Sequence, residues 1–396
     1  MRAEAGLSID ELLRWSVPRG WFVPVTPGTR QVTLGGAFAA DVHGKNHHRD
    51  GSFARWVRGA VLATPTGRRT ISPDEAGGLF WATAGGMGLT GLILELTVEL
   101  VPIETSMMLV DTERADDLDD CMGRMESGDH GYRYSVAWVD CLAGGAHLGR
   151  SVLTRGDHAG LGELRAGRAA RADPLRFSPR QLLNVPAPPP FRLLTRQTVA
   201  AFNEAWFRKA PRRRFGELQR LSSFFHPLDG LGSWNLLYGR LGFAQYQFVV
   251  PFGEEQVVRY VIESLGRARL PSFLAVLKRF GAGDAGPLSF PISGWTLAVD
   301  VPLGSAGLPQ MLDEFDESVA AAGGRVYLAK DSRLRPELLA VMYPRLAEWQ
   351  EVCSQVDPDR LMSSDLAQRL WPERRGGAGR ALAVSARAAG DTRGTG

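Results

Sequence analysis

Cysteine is scarce in this chain, with three in 396 residues: Cys121, Cys141 and Cys353. An odd count with no C-x-x-C spacing argues against a disulfide framework or a zinc site and leaves single thiols. No apolar run reaches the length of a membrane span. The opening stretch MRAEAGLSIDELLRWSVPRG carries charges where the apolar core of a secretory signal would lie, so it does not read as one. Excess charge is slight, +3 with a pI near 8.9, too little to argue for a nucleic-acid partner. Lysine is far outnumbered by arginine, and alanine and glycine are abundant, which looks like coding bias as much as physics. No internal repeat is found.

What remains is ordinary for a soluble globular protein: 44% hydrophobic and 22% charged residues, on a chain long enough for two cores. The N-terminal stretch predicts a helix. Ser8 and Glu11 make a capping box, Ile9, Leu12 and Leu13 an apolar face, and Pro18 a stop, with no strand expected before it. RWVRGAVLATPTGRRTIS predicts a hairpin turning near Thr66-Gly67. LILELTVEL predicts a half-buried strand with Leu92, Leu94, Leu96, Val98 and Leu100 on one face. After about residue 106, YRYSVAWVD and FAQYQFVVP predict strands. EEQVVRYVIESLGRAR and LPQMLDEFDESVAAAGG predict helices, the second closed by Gly323-Gly324. This alternation predicts an α+β domain. NVPAPPPFRLLTRQ reads as a proline-rich loop, and the last residues, from about 374, as a disordered tail.

Two glycine-rich segments stand out. PGTRQVTLGGAFAADVHGKNHH places permissive backbone before a dense polar cluster. GMGLTG at 86–91 matches G-x-G-x-x-G, but a strand follows where the dinucleotide fingerprint needs a helix, which argues against a Rossmann unit. Gly28, Gly35, Gly36 and Gly88 would let backbone approach a ligand, with Thr29 and Thr33 adding hydroxyls, in a nest suited to a pyrophosphate. No Walker lysine follows, so a flavin is the better reading than a nucleoside triphosphate. His47 and His48 lack a third ligand at metal-site spacing, so no metal is expected.

The blocks PVTPGTRQVTLGGAFAADVHGKNHHRDGSF, LFWATAGGMGLTGLILELTVEL, FFHPLDGLGSWNLLYG, GFAQYQFVVP, PLSFPISGWTLAVDVP and GGRVYLAKDSR closely resemble the FAD-linked oxidases of the vanillyl-alcohol oxidase type. Within them, they resemble the branch acting on a lipid-linked ribose. The resemblance runs from residue 1 to about 371. It implies an α+β two-domain fold, with an FAD-binding domain (1–105 and 325–373) split around an antiparallel-sheet substrate domain (106–324). It implies noncovalent FAD, contacted by Gly28, Thr33, Leu34, Gly35, Gly36, Ala40, Asp41, Val42, His43, Ile93 and Tyr327. The implied reaction oxidises the 2′-hydroxyl of a polyprenyl-phosphoryl ribose to a ketone, with a short-chain keto-reductase as partner enzyme. Lys330 is expected as the cation that stabilises developing negative charge, and His43 as the group that orients or deprotonates the hydroxyl. Gln245, Gln247 and Lys278 match pocket positions; Gln245 and Gln247 share a strand face. Ser135, Trp138, Lys45, Phe225, Thr296 and Ala298 complete the expected substrate site. Ala298, Phe225 and Met87 depart from the cysteine, tyrosine and asparagine of relatives.

The resemblance also implies a further N-terminal lobe with an Arg-Ser-Tyr-Gly loop, which does not precede Met1; on that count weak flavin retention, or a flavin-free remnant, is an expectation. An alditol or sugar-lactone oxidase of the same superfamily is the other alternative. A lipid substrate implies a peripheral membrane contact, expected at 185–195, with Phe191, Leu193 and Leu194, followed by Arg208, Lys209, Arg212, Arg213 and Arg214.

Overall fold

The computed structural model describes residues 1–75, 77–164, 173–179, 181, 183–188 and 194–371. Phe191, Leu193 and the expected tail from 374 lie outside the described residues.

The N-terminal helix, Ile9–Ser16, forms where its signals lie. Glu11 N–H donates to Ser8 Oγ at 3.2 Å, and the Glu11 carboxylate accepts from Ser8 N–H at 3.0 Å. Ile9, Leu12 and Leu13 are buried beneath it. A single turn, Val17–Arg19, then ends at Gly20 in the left-handed region. A short strand, Arg2–Glu4, does precede the helix, contrary to expectation, and pairs antiparallel with Leu92–Val98. Its backbone pairing, not its apolar content, places it there.

Together with the hairpin Val57–Thr64 and Gly67–Ile71, these strands make a four-stranded antiparallel sheet in the order Arg2–Glu4, Leu92–Val98, Val57–Thr64, Gly67–Ile71. Thr64 pairs with Gly67, so the hairpin turns on Pro65-Thr66. The expected half-buried strand is only partly so. Leu96 and Val98 are buried, but Leu92 and Leu94 are 63% and 39% exposed. The register against the hairpin slips between Val61↔Glu95 and Leu62↔Ile93, and the extra residue on one strand breaks the alternation there. GMGLTG leads straight into this strand after the helix Leu79–Thr83, so it is not a Rossmann turn.

The second layer is an eight-stranded antiparallel sheet. Its order is Arg213–Arg220, Met107–Ala115, Ser151–His158, Tyr134–Val139, Ala275–Phe280, Gly294–Pro302, Phe243–Pro251, Arg325–Val326. One face is apolar and roofed by helices. Trp295, Leu297, Val299 and Val301 alternate along one strand and Tyr246, Phe248 and Val250 along its neighbour, all buried. Tyr246 OH donates to Asp316 on the helix Leu308–Ala321 at 3.0 Å. That helix closes at Gly323, with φ of +67°. The residues between, Gln245, Gln247, Thr296, Ala298, Asp300, Val276 and Lys278, point to the other face by the two-residue period. Arg212 to Arg214, expected after a loop, sit at the start of the edge strand. Arg213 pairs with Glu113 at 3.4 Å and Arg214 with Glu217 at 2.9 Å.

Beyond the sheet, the helices Pro336–Met342, Leu346–Val356 and Asp365–Leu370 return toward the first hundred residues. Trp349 Nε1–H donates to the Ala82 carbonyl at 3.0 Å, anchoring that return.

Glycine 35 reports on how the first strand is seated. A Cβ there would lie 2.9 Å from Ala5 Cβ and 3.2 Å from the Ala5 carbonyl. Gly35→Ala is expected to cost about 1–3 kcal/mol by overpacking, and Ala5→Gly should recover part of that loss. Denaturant unfolding of the two single variants and the double variant checks this; an unchanged midpoint for Gly35→Ala would show that Ala5 does not pack here.

Candidate active site

The segment from Thr33 to His43 builds one wall of the site. Thr33 Oγ1 accepts from Gly36 N–H at 3.1 Å and so caps the short helix Leu34–Ala39. Asp41 then takes a left-handed conformation, φ of 41°, and turns the chain inward. Its carboxylate accepts from Ala54 N–H at 3.2 Å. His43 emerges among three rings, with centroids 4.8 Å from Phe280, 5.5 Å from Phe290 and 5.1 Å from Tyr327. Tyr327 OH donates to the Ala40 carbonyl at 2.7 Å, so the return segment closes over the turn.

The second wall is the polar face of the large sheet. Thr296 Oγ1 donates to the Phe248 carbonyl at 2.8 Å. Its only proton is thus used, and at 3.1 Å it accepts from Gln247 Nε2. This sets the orientation of the Gln247 amide, whose nitrogen also lies 2.8 Å from His43 Nε2. Gln247 is the donor there, so neutral His43 carries its proton on Nδ1. That nitrogen is buried and has no protein partner. Burial, with Lys278 and Lys330 nearby, holds the His43 pKa well below the usual histidine value. His43 Nδ1–H is thus a donor without a protein acceptor, and with Nε2 engaged by Gln247 the expected role of base does not suit this geometry.

Three amines gather around it. Burial lowers Lys330 to about 7, with Lys278 adding repulsion and Asp300 opposing it. Lys278 is lowered to about 8 by burial. Lys45 is lowered to about 7 by burial and then by Lys278. Lys45 also bonds the Phe224 carbonyl and lies 4.4 Å from the centre of the Phe224 ring. The acid facing Lys330 is Asp300, which the sequence reading missed. Gln245 Nε2 donates to it at 2.5 Å, Tyr238 OH lies 3.4 Å away, and burial raises its pKa to about 6. A visible signal was there: Asp300 follows Thr296 and Ala298 at strand spacing in an otherwise apolar strand. A second missed signal is the rarity of lysine. The chain has four, Lys45, Lys209, Lys278 and Lys330, and three meet here.

The other expected residues divide between this face and elsewhere. Ala298 is 3% exposed, in register between Gln247 and Val276, and Trp138 aligns with Val276 on the same face. Ser135 is an odd number of positions from Trp138 and so faces the helices, where it donates to Asp129 at 2.8 Å. The Phe225 ring is buried against Phe22 and Tyr134. Thr29 donates to Asp229 at 2.8 Å. Leu34 and Val42 are buried apolar residues of the main core. Gly28 has nothing within 4 Å of where a Cβ would stand.

Next to this pocket in the chain, a cleft of about 310 Å³ runs between the turn and the small sheet, lined by Thr33, Gly35, Gly36, Ala39, Gly88 and Ile93. Gly88 has a φ of +77°, and a Cβ there would meet no atom within 4 Å, so its bare backbone faces the open cleft. The residues present fit a flavin dinucleotide on two counts. The cleft wall is side-chain-free backbone that a pyrophosphate can approach. The adjoining pocket holds an unpartnered N–H and more amines than carboxylates, which suits a ring system that gains negative charge.

The FAD binding domain family matches residues 1–72, and the D-arabinono-1,4-lactone oxidase family matches residues 253–370. The fold and site define an FAD-dependent oxidoreductase acting on a CH–OH group. The chain belongs to the family of the decaprenylphosphoryl-β-D-ribose oxidase of Mycolicibacterium smegmatis, with which it is 44% identical over 370 residues, 93% of this chain and 80% of that one. It is 43% identical over 375 residues to an uncharacterised Streptomyces coelicolor protein from the mprA 5′ region, 92% of this chain and all of that one. A D-lactate dehydrogenase of Anaerostipes hadrus shares 26% over 114 residues, 27% of this chain and 24% of that one.

The crowded amines should leave a pH signature. An unfolded lysine titrates near 10.5, whereas Lys278 in the fold titrates near 8. Below about pH 8 both states are protonated and the fold carries the full cost of the buried charge; between about 8 and 10.5 that cost is relieved. Lys278→Met should therefore stabilise the flavin-free protein by about 1–2 kcal/mol near pH 7 and by much less near pH 10. Denaturant melts at the two pH values test this; equal gains at both would mean that Lys278 is not strained.

Proposed function

We propose that this protein oxidises the 2′-hydroxyl of decaprenylphosphoryl-β-D-ribose to the 2′-keto compound, the first half of an epimerisation that yields an arabinose donor for cell-wall arabinan. A separate keto-reductase completes the inversion. The carrying observation is the meeting of Lys330, Lys278 and His43 at one polar sheet face, with Lys45 beside Lys278 and Asp300 opposing Lys330. The 44% identity to the mycobacterial oxidase supplies the substrate class.

FAD held along the bare backbone of Gly35, Gly36 and Gly88 would supply the acceptor for the hydride of the sugar carbon. The chain's residues do the rest. Lys278, lowered to about 8, keeps its proton near neutral pH, and Lys330, lowered to about 7, shares the positive charge of this face, its charged form favoured by Asp300; that charge stabilises negative charge as it develops. An amine titrating near 7 is in part unprotonated at neutral pH and is suited to take the hydroxyl proton. His43 Nδ1–H and Gln245 orient the oxygens of the sugar, and Trp138 offers its ring as a platform. A sugar-lactone or alditol oxidase is the second reading, favoured by the lactone oxidase match over 253–370. Turnover of a free lactone but not of a lipid-linked ribose would select it.

In the flavin-loaded protein, Lys330→Ala should slow flavin reduction by about two to three orders of magnitude, the range for one electrostatic stabiliser. Stopped-flow absorbance at saturating substrate reads this directly, and an unchanged rate would reduce Lys330 to a binding role.

The substrate's lipid brings the protein to a bilayer surface, and among the described residues no helix is long and apolar enough to cross one. Phe215, 61% exposed, projects beside exposed Arg212, Arg213 and Arg214 and supports a peripheral contact there. Binding to anionic liposomes should weaken with salt and fall when the three arginines become serine. Co-sedimentation equal to that of the parent would remove this edge from the contact.

A further inference from the structure

A line of aromatic rings leaves the pocket and reaches solvent. Tyr238 OH lies 3.4 Å from the Asp300 carboxylate, so the line starts at the polar sheet face. Ring centroids then follow at 4.3 Å from Tyr238 to Phe243 and 5.3 Å from Phe243 to Trp234. In the other direction the spacing is 5.5 Å from Tyr238 to Phe273, 6.1 Å from Phe273 to Phe202, and 6.1 Å from Phe202 to Trp206. Trp138 joins it, donating its indole N–H to the Phe273 carbonyl at 3.0 Å. Phe202 and Trp206 lie one turn apart on the helix Arg196–Lys209. That helix is fastened to the sheet by Asn203, which donates to Asp140 at 2.7 Å.

Core packing does not account for these rings. Phe202 is 46% and Trp206 43% exposed, Phe243, Phe273 and Trp234 are half-buried, and Tyr238 alone of the six is buried. A contiguous aromatic surface left in water is costly, and such patches mark contact sites. The rings packed around His43, Phe280, Phe290 and Tyr327, are by contrast each at most 4% exposed. The line from Tyr238 through Phe273 to Phe202 and Trp206 is an apolar path from the polar sheet face to water.

We propose that this line is the binding track for the polyprenyl chain of the substrate, running from the sugar pocket at Asp300 and Trp138 over Tyr238 and Phe273 to Phe202 and Trp206. It rests on the reading that the substrate is a lipid-linked sugar and adds where the lipid lies. The argument for this occupant is continuity. A chain joined through phosphate to a sugar held at Asp300 must leave for water, and this line of rings begins at Asp300 and ends exposed at Phe202 and Trp206. At the outer end the Lys209 amine stands 5.9 Å from the centre of the Trp206 ring, where the track meets water.

The test uses the flavin-loaded protein carrying Phe202→Ser and Trp206→Ser, both on an exposed helix face. Two substrates are compared in detergent, ribosyl phosphates bearing a decaprenyl or a geranyl chain. In parallel, binding of decaprenyl phosphate and geranyl phosphate is measured without turnover. The double variant should raise KM and Kd for the decaprenyl compounds about tenfold and leave the geranyl compounds unchanged. Equal effects on both chain lengths, or no effect on either, overturn the track. If the variant keeps its chain-length preference but loses vesicle binding, the rings are a bilayer contact and the track is likewise overturned. If the parent oxidises neither ribose lipid yet binds the two lipid phosphates with a preference that the variant abolishes, the track stands and the substrate reading falls.

Discussion

The hydrogen bond from Gln247 to His43, 2.8 Å long and spanning 204 residues of sequence, is the clasp on which the site depends. It ties the turn after the glycine segment to the middle of the large sheet. Its direction is inherited from Thr296, which spends its proton on the Phe248 carbonyl and can only accept from Gln247. The imidazole is therefore delivered in one tautomer, with Nδ1–H free. A buried donor without a partner costs stability, and that cost is sustained by the aromatic packing of Phe280, Phe290 and Tyr327 around the ring.

The same face carries an electrostatic debt. Lys278 repels both Lys45 and Lys330, Asp300 is a counterweight to Lys330, and burial lowers each half-buried amine toward neutrality. Arginine could not play this part. It stays protonated in any protein environment, and its planar fork occupies more room than an ammonium on a flexible stem. In a chain that uses arginine almost everywhere else, three of the four lysines stand at these positions, where a compact amine can change its charge. Such perturbed amines belong to functional sites more than to scaffolds. The glycine cleft and the amine cluster are consecutive along the chain through Ala39 and Ala40, so one segment carries both the bare backbone of the cleft and the His43 side chain.

By itself the sequence determined what depends on neighbours in the chain. The helix Ile9–Ser16 follows from its capping box, the hairpin from its turn, the closure of Leu308–Ala321 from Gly323, and the rejection of a Rossmann turn at GMGLTG from the strand after it. The polar face of Gln245 and Gln247 was legible from the two-residue period alone. What only the tertiary structure decided depends on register and on distant partners. A slip of one residue between Val61 and Leu62 leaves Leu92 and Leu94 in the open although their pattern is that of a buried face. Strand parity sends Ser135 to the helix side and Trp138 to the pocket. Thr29 is claimed by Asp229, 200 residues away, and Asp300 becomes the partner of Gln245 because antiparallel pairing sets them opposite each other. Hydrogen-bond direction and the pKa values of buried amines arise from three-dimensional proximity and loss of water, quantities that no local pattern of residues encodes.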